Sequence, residues 1–290
     1  MRPAVFLYTT SAPLKTNVFC PSLSAITLPL HKKLKALTDT IPFKQASFKQ
    51  AMILSAGLGM RMRPLTSTCP KPLLKVGGVT LLDHSVKLLH DGGVRYIGLN
   101  SHHLADQLAA WVEQARQRYP DITFHLLHEP ALLNSGGGLR NALSLFDDEP
   151  LLVLNPDNLW WDFPQNPCQL LAQHWRDSMA TLLMMADKAT AETLREPASF
   201  QLHDGGRLSY HPAGTPPPPD PHYYASIHVV QPRVLKTLPI WPFNLRTEFW
   251  EKRVAHGDLY GVPYRGRWLQ LSTPEDLMLA EHVFANQAKA

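Results

Sequence analysis

The feature that most limits how this chain can fold lies at residues 51–59. Ala51-Met52-Ile53-Leu54 is a short apolar run that stops at Ser55-Ala56-Gly57-Leu58-Gly59. Such a run is too short for a helix, and its uniform apolarity suits a parallel strand covered on both faces. Two glycines one residue apart let the backbone turn tightly and bring its N–H groups close to an anion. A strand feeding directly into such a loop opens an α/β unit, so strands and helices should alternate downstream.

They do. Leu81, Leu82, Val86, Leu88 and Leu89 sit at near-helical spacing, and Asp91-Gly92-Gly93 closes that helix. Tyr96 to Leu99 reads as a strand, and Leu104, Leu108, Trp111 and Val112 as an amphipathic helix ending near Pro120. Ile122 to Leu127 is a third strand, and Leu139 to Phe146 a helix behind a glycine run. Leu151 to Leu154 is a fourth strand, running into Asn155-Pro156-Asp157. This rhythm predicts an α/β fold, a Rossmann-like, doubly wound, mostly parallel sheet. Ligands of such sheets bind beyond the carboxyl ends of the strands. The loop at 55–60, the glycines at 136–138 and Asp157 all follow strand ends and can share one crevice. Further on, Thr181 to Ala186 and Tyr224 to Val230 read as strands, Gly205-Gly206 as a hairpin turn and Pro216 to Pro219 as a stiff loop. Pro274 to Phe284 reads as a C-terminal helix.

Charge separates the chain into two parts. Residues 1–50 carry seven Lys or Arg against Asp39 alone, whereas the whole chain nets +4, so the rest is mildly acidic at −2. A body of that charge is a poor footprint for nucleic acid. No apolar run approaches the ~18 residues of a membrane span. Cys20, Cys69 and Cys168 are far apart and odd in number, which offers neither a disulfide framework nor a metal pair and suits a reducing cytoplasm. We expect residues 1–49 to be an extension, a disordered tail or sequence upstream of the true start rather than a targeting leader. The functional domain is expected over residues 50–286.

The chemistry concentrates in Ser55-Ala56-Gly57-Leu58-Gly59-Met60-Arg61-Met62-Arg63-Pro64-Leu65-Thr66, followed by Pro70-Lys71-Pro72-Leu73. A triphosphate needs backbone donors close in and fixed cations around them. Ala56 to Gly59 supply the first, Arg61 and Lys71 the second. A Walker loop would require Gly-Lys-Ser/Thr, and a dinucleotide fingerprint a third glycine near Met62; neither is present. Asp157 at a strand end is either a helix cap or a metal carboxylate, and strand-end carboxylates are where metal chemistry sits in this fold. His102 and His103, after a strand, read as surface histidines. Trp160-Trp161 read as packing.

The string resembles the signature Leu-Ala-x-Gly-x-Gly-x-Arg-Met-x-Pro-Leu-Thr, then Pro-Lys-Pro, of the sugar-phosphate nucleotidyltransferases, with Ser55 where that family has Ala. Asn134-Ser135-Gly136-Gly137-Gly138, Asn155-Pro156-Asp157, Ser226-Ile227 and Tyr264-Arg265-Gly266-Arg267-Trp268 are similar to one branch of it. That branch holds the N-acetylmuramate 1-phosphate uridylyltransferases and mannose-1-phosphate guanylyltransferase-like enzymes. The resemblance implies that Ala56, Gly57, Leu58 and Gly59 hold the nucleotide phosphates and that Arg61 binds the β- and γ-phosphates. It places Lys71 at the α-phosphate, and the Gly136, Gly137, Gly138 turn with Glu129 at base and ribose. Asp157 would ligate Mg²⁺. The implied reaction joins a nucleoside triphosphate to a sugar 1-phosphate and releases pyrophosphate. The family's Trp-x-Asp-Val-Gly-Thr-Pro is here Trp268-Leu269-Gln270-Leu271-Ser272-Thr273-Pro274, so Gln270 replaces a second metal carboxylate. That substitution also suits a rival function, a weakened homologue that binds a nucleotide sugar as a regulator.

Because the family-like text starts near Ala51, removing residues 1–46 should leave melting temperature and turnover near those of the full chain. A large loss of either, measured side by side, would show that the extension belongs to the body.

Overall fold

A computed structural model describes residues 47–193, 199–212 and 214–287. The extension through residue 46, with Cys20, lies outside them. Phe48 and Lys49 are already part of the body: Phe48 is buried with its ring edge-on to Trp175, and the Lys49 carbonyl accepts from Arg95 and Tyr96 N–H at 3.0 Å.

The apolar run forms strand β1 (Gln50–Ile53), every residue of it buried. It pairs in parallel with β4 (Tyr96–Ser101) on one side and β6 (Leu151–Leu154) on the other, and β4 pairs in parallel with β5 (Thr123–His128). The chain thus builds outward from β1 through β4 to β5, then returns to add β6 on the opposite side. That reversal makes β1 the switch point of the sheet, where a crevice opens at the carboxyl ends of β1 and β6.

Alternate residues of the central strands feed two cores. Ala51, Ile53, Leu152 and Leu154 join a cluster with α1 (Leu81–Asp91), α2 (Ala105–Arg118) and α4 (Pro167–His174). Met52, Leu151 and Val153 join a second with Leu139 and Ala142 of α3 (Asn134–Ala142), and with Phe249 and Trp250. The two-residue strands β2 (Lys75–Val76) and β3 (Val79–Thr80) form a small hairpin ahead of α1. Helix α1 begins where Thr80 accepts the Asp83 N–H, a side-chain N-cap.

The second half extends the sheet with antiparallel strands. The long β11 (Pro221–Val230) lies antiparallel beside β6 and carries β8 (Thr181–Ala186) and the hairpin of β9 (Phe200–Leu202) and β10 (Leu208–Tyr210). Strand β12 (Leu259–Pro263) pairs in parallel with β8. A separate ribbon joins β7 (Asn158–Trp161) to β13 (Arg267–Gln270), setting Asn158 opposite Gln270. Two short helices, α5 (Pro232–Lys236) and α6 (Glu251–His256), flank a π-helical turn at Leu245–Trp250, and α7 (Pro274–Gln287) closes the chain. Among the described residues no helix is long and apolar enough to cross a membrane.

The expected rhythm of strands and helices is present, with two differences. The glycine run at 136–138 is not a loop before a helix; it lies within the first turns of α3. The β7–β13 ribbon has no strong periodic signal, because each partner is only four residues long and the pairing spans more than a hundred residues.

Candidate active site

A cleft of about 290 Å³ opens where β1 and β6 end, walled by Ser55, Gly57, Gly59, Arg61, Lys71 and Asp157, among others. Gly57 faces open space, with nothing within 4 Å of where a Cβ would stand. Gly59 is in the left-handed region (φ 61°), and a Cβ there would meet Thr66 Cγ2 at 2.9 Å, so the loop requires glycine on both counts. Thr66 ties the turn by donating its hydroxyl to the Gly59 carbonyl at 2.8 Å. Met62 is buried beneath the loop while Arg61 is exposed at the cleft wall. Ala56 is buried below the loop and Leu58 is exposed; neither lines the cleft.

The floor is an ion pair. Lys71 Nζ donates to Asp157 Oδ2 at 2.5 Å, across 86 residues of sequence. The other carboxylate oxygen, Oδ1, accepts Asn158 Nδ2 at 2.7 Å, and Asn158 Oδ1 in turn accepts the Trp268 indole N–H at 2.8 Å. The β7–β13 ribbon therefore aims the Asp157 carboxylate into the cleft. Sequence reading did not single out Asn158; its signal was its place beside Asp157. Gln270 comes to the same turn, since its neighbour Leu271 N–H donates to the Asp157 carbonyl at 2.8 Å.

Glu129 and the glycines of α3 stand elsewhere. Glu129 is fully buried and accepts Asn100 Nδ2 at 2.7 Å and Leu133 N–H at 3.2 Å. The Asn100 side chain also accepts the Ser55 N–H at 2.7 Å, and the Ser55 hydroxyl donates to the Asn100 carbonyl at 2.5 Å. This chain ties the ends of β5, β4 and β1 together directly under the glycine loop. Gly138 makes room for it: a Cβ there would meet Glu129 Oε1 at 2.7 Å and Asn100 Nδ2 at 2.8 Å. Gly136 and Gly137 are covered by the segment around Trp241 to Phe243, whose Phe243 carbonyl accepts both their N–H groups. In this structure Glu129 and these three glycines lie packed against one another and against the 241–243 segment. They are packed inside because the 241–243 segment and the Glu129–Asn100 pair need the space of the missing side chains. His102 and His103 bond the carbonyls of Glu129 and Thr66, pinning loop to loop.

A second pocket of about 310 Å³ adjoins the cleft and shares Leu54 and Asn155 with it. Tyr224, Ser226 and His228 of β11, Arg246 of the π-helical turn with its N-cap Asn244, and Gln270 line it. Burial pushes the His228 imidazole down to about 3, so it is neutral, and its Nδ1 pairs with the Tyr224 hydroxyl at 2.6 Å. None of these residues except Gln270 and Ser226 carried a sequence signal.

The donor set fits Mg²⁺ only as a shared ligand field. Among the described residues no three His, Cys, Asp or Glu side chains gather around a common point. Asp157 offers one carboxylate, and Mg²⁺ commonly takes one or two protein carboxylates with water and substrate phosphates completing the octahedron.

Residues 50–193 match the family model described as nucleotidyl transferase. The chain is 31% identical over 236 residues to the N-acetylmuramate alpha-1-phosphate uridylyltransferase of Caulobacter vibrioides, covering 80% of this chain and 96% of that one. The chain belongs to the sugar-phosphate nucleotidyltransferase family. It is 28% identical to the mannose-1-phosphate guanylyltransferase catalytic subunit beta of Danio rerio, spanning 62% of that protein's length. Its fold matches a UDP-glucose pyrophosphorylase complexed with UDP-glucose (TM-score 0.68, 13% identity, 83% of this chain and 99% of that one). It also matches HddC from Yersinia pseudotuberculosis complexed with GMP-PN (TM-score 0.65, 18% identity, 82% of this chain and 100% of that one). The chain is accordingly a nucleotidyltransferase with a nucleotide-diphospho-sugar transferase fold.

Asn100→Ala removes a partner from a buried carboxylate and from a buried N–H together, at roughly 2–4 kcal/mol. Ser55→Ala removes only a hydroxyl bond, about 1 kcal/mol. Chemical denaturation should rank the two in that order, and the KM for nucleotide should rise in Asn100→Ala alone. Equal stability losses would show that the Glu129–Asn100 bond does not support the loop.

Proposed function

We propose that the protein transfers a uridylyl group from UTP to N-acetylmuramate 1-phosphate, releasing pyrophosphate. The observation that carries this reading is the single cleft in which a glycine loop, Arg61, Lys71 and Asp157 face one another. The choice of UTP and of this acceptor rests on the similarity to the Caulobacter enzyme. The mannose-1-phosphate guanylyltransferases, at 24–28% identity, make guanylyl transfer to mannose 1-phosphate the second reading.

The chemistry is a substitution at phosphorus. A phosphate oxygen of the acceptor bonds to the α-phosphorus of the nucleotide while the bond to the bridging oxygen breaks, and the electron pair leaves with pyrophosphate. No covalent intermediate on the protein is required, so positioning and charge neutralisation provide the rate. Gly57 and Gly59 let the loop N–H groups approach the phosphate chain. Arg61 neutralises the departing β- and γ-phosphates. Lys71 leaves Asp157 for the α-phosphate, where negative charge grows in the transition state. Mg²⁺, when bound, supplies Lewis acidity and charge neutralisation at the phosphates. Asp157, oriented by Asn158, would hold it, with Gln270 adding at most a neutral oxygen. Three widely separated cysteines suit a cytoplasmic setting.

Four nucleoside triphosphates assayed against several sugar 1-phosphates, read as pyrophosphate, test the reading. UTP with N-acetylmuramate 1-phosphate should give the highest kcat/KM; GTP with mannose 1-phosphate in first place would replace it. Silence with every pair, alongside measurable binding of a nucleotide sugar, would favour the regulatory homologue. Arg61→Ala and Lys71→Ala should each lower kcat by about 10²–10³-fold at saturating substrates, with circular dichroism unchanged. Either variant keeping wild-type turnover overturns its role.

With one carboxylate in place of two, the Mg²⁺ requirement should be high. Gln270→Asp restores a formal charge beside Asp157 and should shift the Mg²⁺ activation curve to lower concentration, while Asp157→Asn should abolish activity. An unmoved curve in the first and an active second variant would place the metal elsewhere.

A further inference from the structure

The second pocket has the construction of a binding site rather than of a packing gap. Ser226, in the middle of β11, has φ 62°, and the register of β11 against β8 shifts between Tyr224 and His228. A left-handed serine inside a strand is strained, and such strain persists where the surroundings over-determine it, as at ligand clamps. Tyr224, Ser226 and His228 all line the pocket. His228 is 1% exposed, and its Nε2 has no hydrogen-bond partner among the described residues. A buried polar atom left so is an unmet demand that a ligand can satisfy.

The electrostatics specify which ligand. The side chains around the pocket are neutral apart from Arg246, since no Asp, Glu or Lys lines it and His228 is uncharged. The Tyr224 hydroxyl is held far above its ordinary range, first by burial; the Arg246 charge opposes that rise and the Asp157 carboxylate adds to it. Both charges are thus felt at one residue between the two pockets. Arg246 is half-buried and has interactions of its own within the protein, and its N–H is fixed by Asn244 Oδ1 at 2.8 Å. That bond fixes the backbone of the turn on which Arg246 stands, and a half-buried guanidinium presented from it is a planar fork suited to a carboxylate or phosphate and mismatched to a neutral hexose.

We propose that Arg246 holds an anionic group of the acceptor, its phosphate or a sugar carboxylate, and so sets which acceptor the enzyme uses. This deepens the transfer reading above and rests on it for the identity of the acceptor. Leu54 and Asn155 line both pockets, so an acceptor seated beside Arg246 borders the cleft that Lys71 lines. If the group is a sugar carboxylate, present in N-acetylmuramate and absent from mannose, Arg246 discriminates between those two acceptors.

Three ligands separate the two sources of anion: N-acetylmuramate 1-phosphate, N-acetylglucosamine 1-phosphate, and N-acetylmuramate without phosphate. Each is titrated calorimetrically into the full chain and into Arg246→Met and Arg246→Lys, with and without a non-hydrolysable UTP analogue and Mg²⁺. We expect Arg246→Met to raise Kd at least tenfold for every ligand bearing the group it holds, with Arg246→Lys recovering part of the loss and melting temperatures unchanged. Loss confined to the two 1-phosphates identifies the phosphate; loss confined to the two muramates identifies the carboxylate. Unchanged Kd for all three in Arg246→Met, or no binding of any of them by the wild type, overturns the proposal. If Arg246→Met does not fold, an Arg246→Lys protein that binds all three as wild type does overturns the requirement for the guanidinium fork. Anion binding that depends on Arg246, without pyrophosphate release from any triphosphate, leaves this proposal standing and removes the transfer reading instead.

Discussion

One buried side chain, Asn100, connects the ends of three parallel strands. It donates to Glu129 after β5, sits itself at the end of β4, and accepts the Ser55 N–H where β1 gives way to the glycine loop. The strand ladders set the spacing of these ends, but a ladder stops where the strands stop, and Ser55 is the first residue beyond it. Without a partner, the Ser55 N–H would be a buried donor with nowhere to go. Because Gly138 leaves space for the Glu129–Asn100 bond, α3 is packed around the same point. The glycine loop therefore starts from a fixed position, from which Gly57, Gly59 and Arg61 face the cleft.

The opposite wall is organised by the same device. Asn158 locks one oxygen of Asp157 and is itself locked by the Trp268 indole, so the second oxygen points to Lys71. In both walls a buried amide orients a functional group that the sequence makes easy to see, and the amide itself is easy to miss. The Lys71–Asp157 pair satisfies both charges in the absence of nucleotide. On the proposed reading, a triphosphate draws Lys71 away by its negative charge and so couples nucleotide binding to release of the carboxylate.

What could be read from the sequence was set by the range of the interactions involved. The run at 51–54, the helix after Thr80 and the strand at 151–154 are local patterns of apolarity and punctuation, and each formed where its pattern lay. The glycines at 136–138 were legible as unusual, but what packs against them was not. Glycine signals a close approach without naming what approaches, and Phe243 lies more than a hundred residues away. Arg246 and His228 carry no local signature, because their setting arises from a register shift in β11 and a π-helical turn. The replacement of a family Asp by Gln270 was visible in the sequence. That the ribbon sets Gln270 across from Asn158, next to Asp157, needed the fold.

The central claim is that the loop from Gly57 to Arg61 and the Lys71–Asp157 pair form one triphosphate site. The most direct measurement is a crystal structure of the full chain with Mg²⁺ and a non-hydrolysable UTP analogue. The account predicts the phosphates lying along the loop N–H groups, Arg61 turned onto the β- and γ-phosphates, and Lys71 drawn off Asp157 onto the α-phosphate. A nucleotide bound outside this cleft, or bound within it with Lys71 still on Asp157 and Arg61 facing solvent, would contradict it.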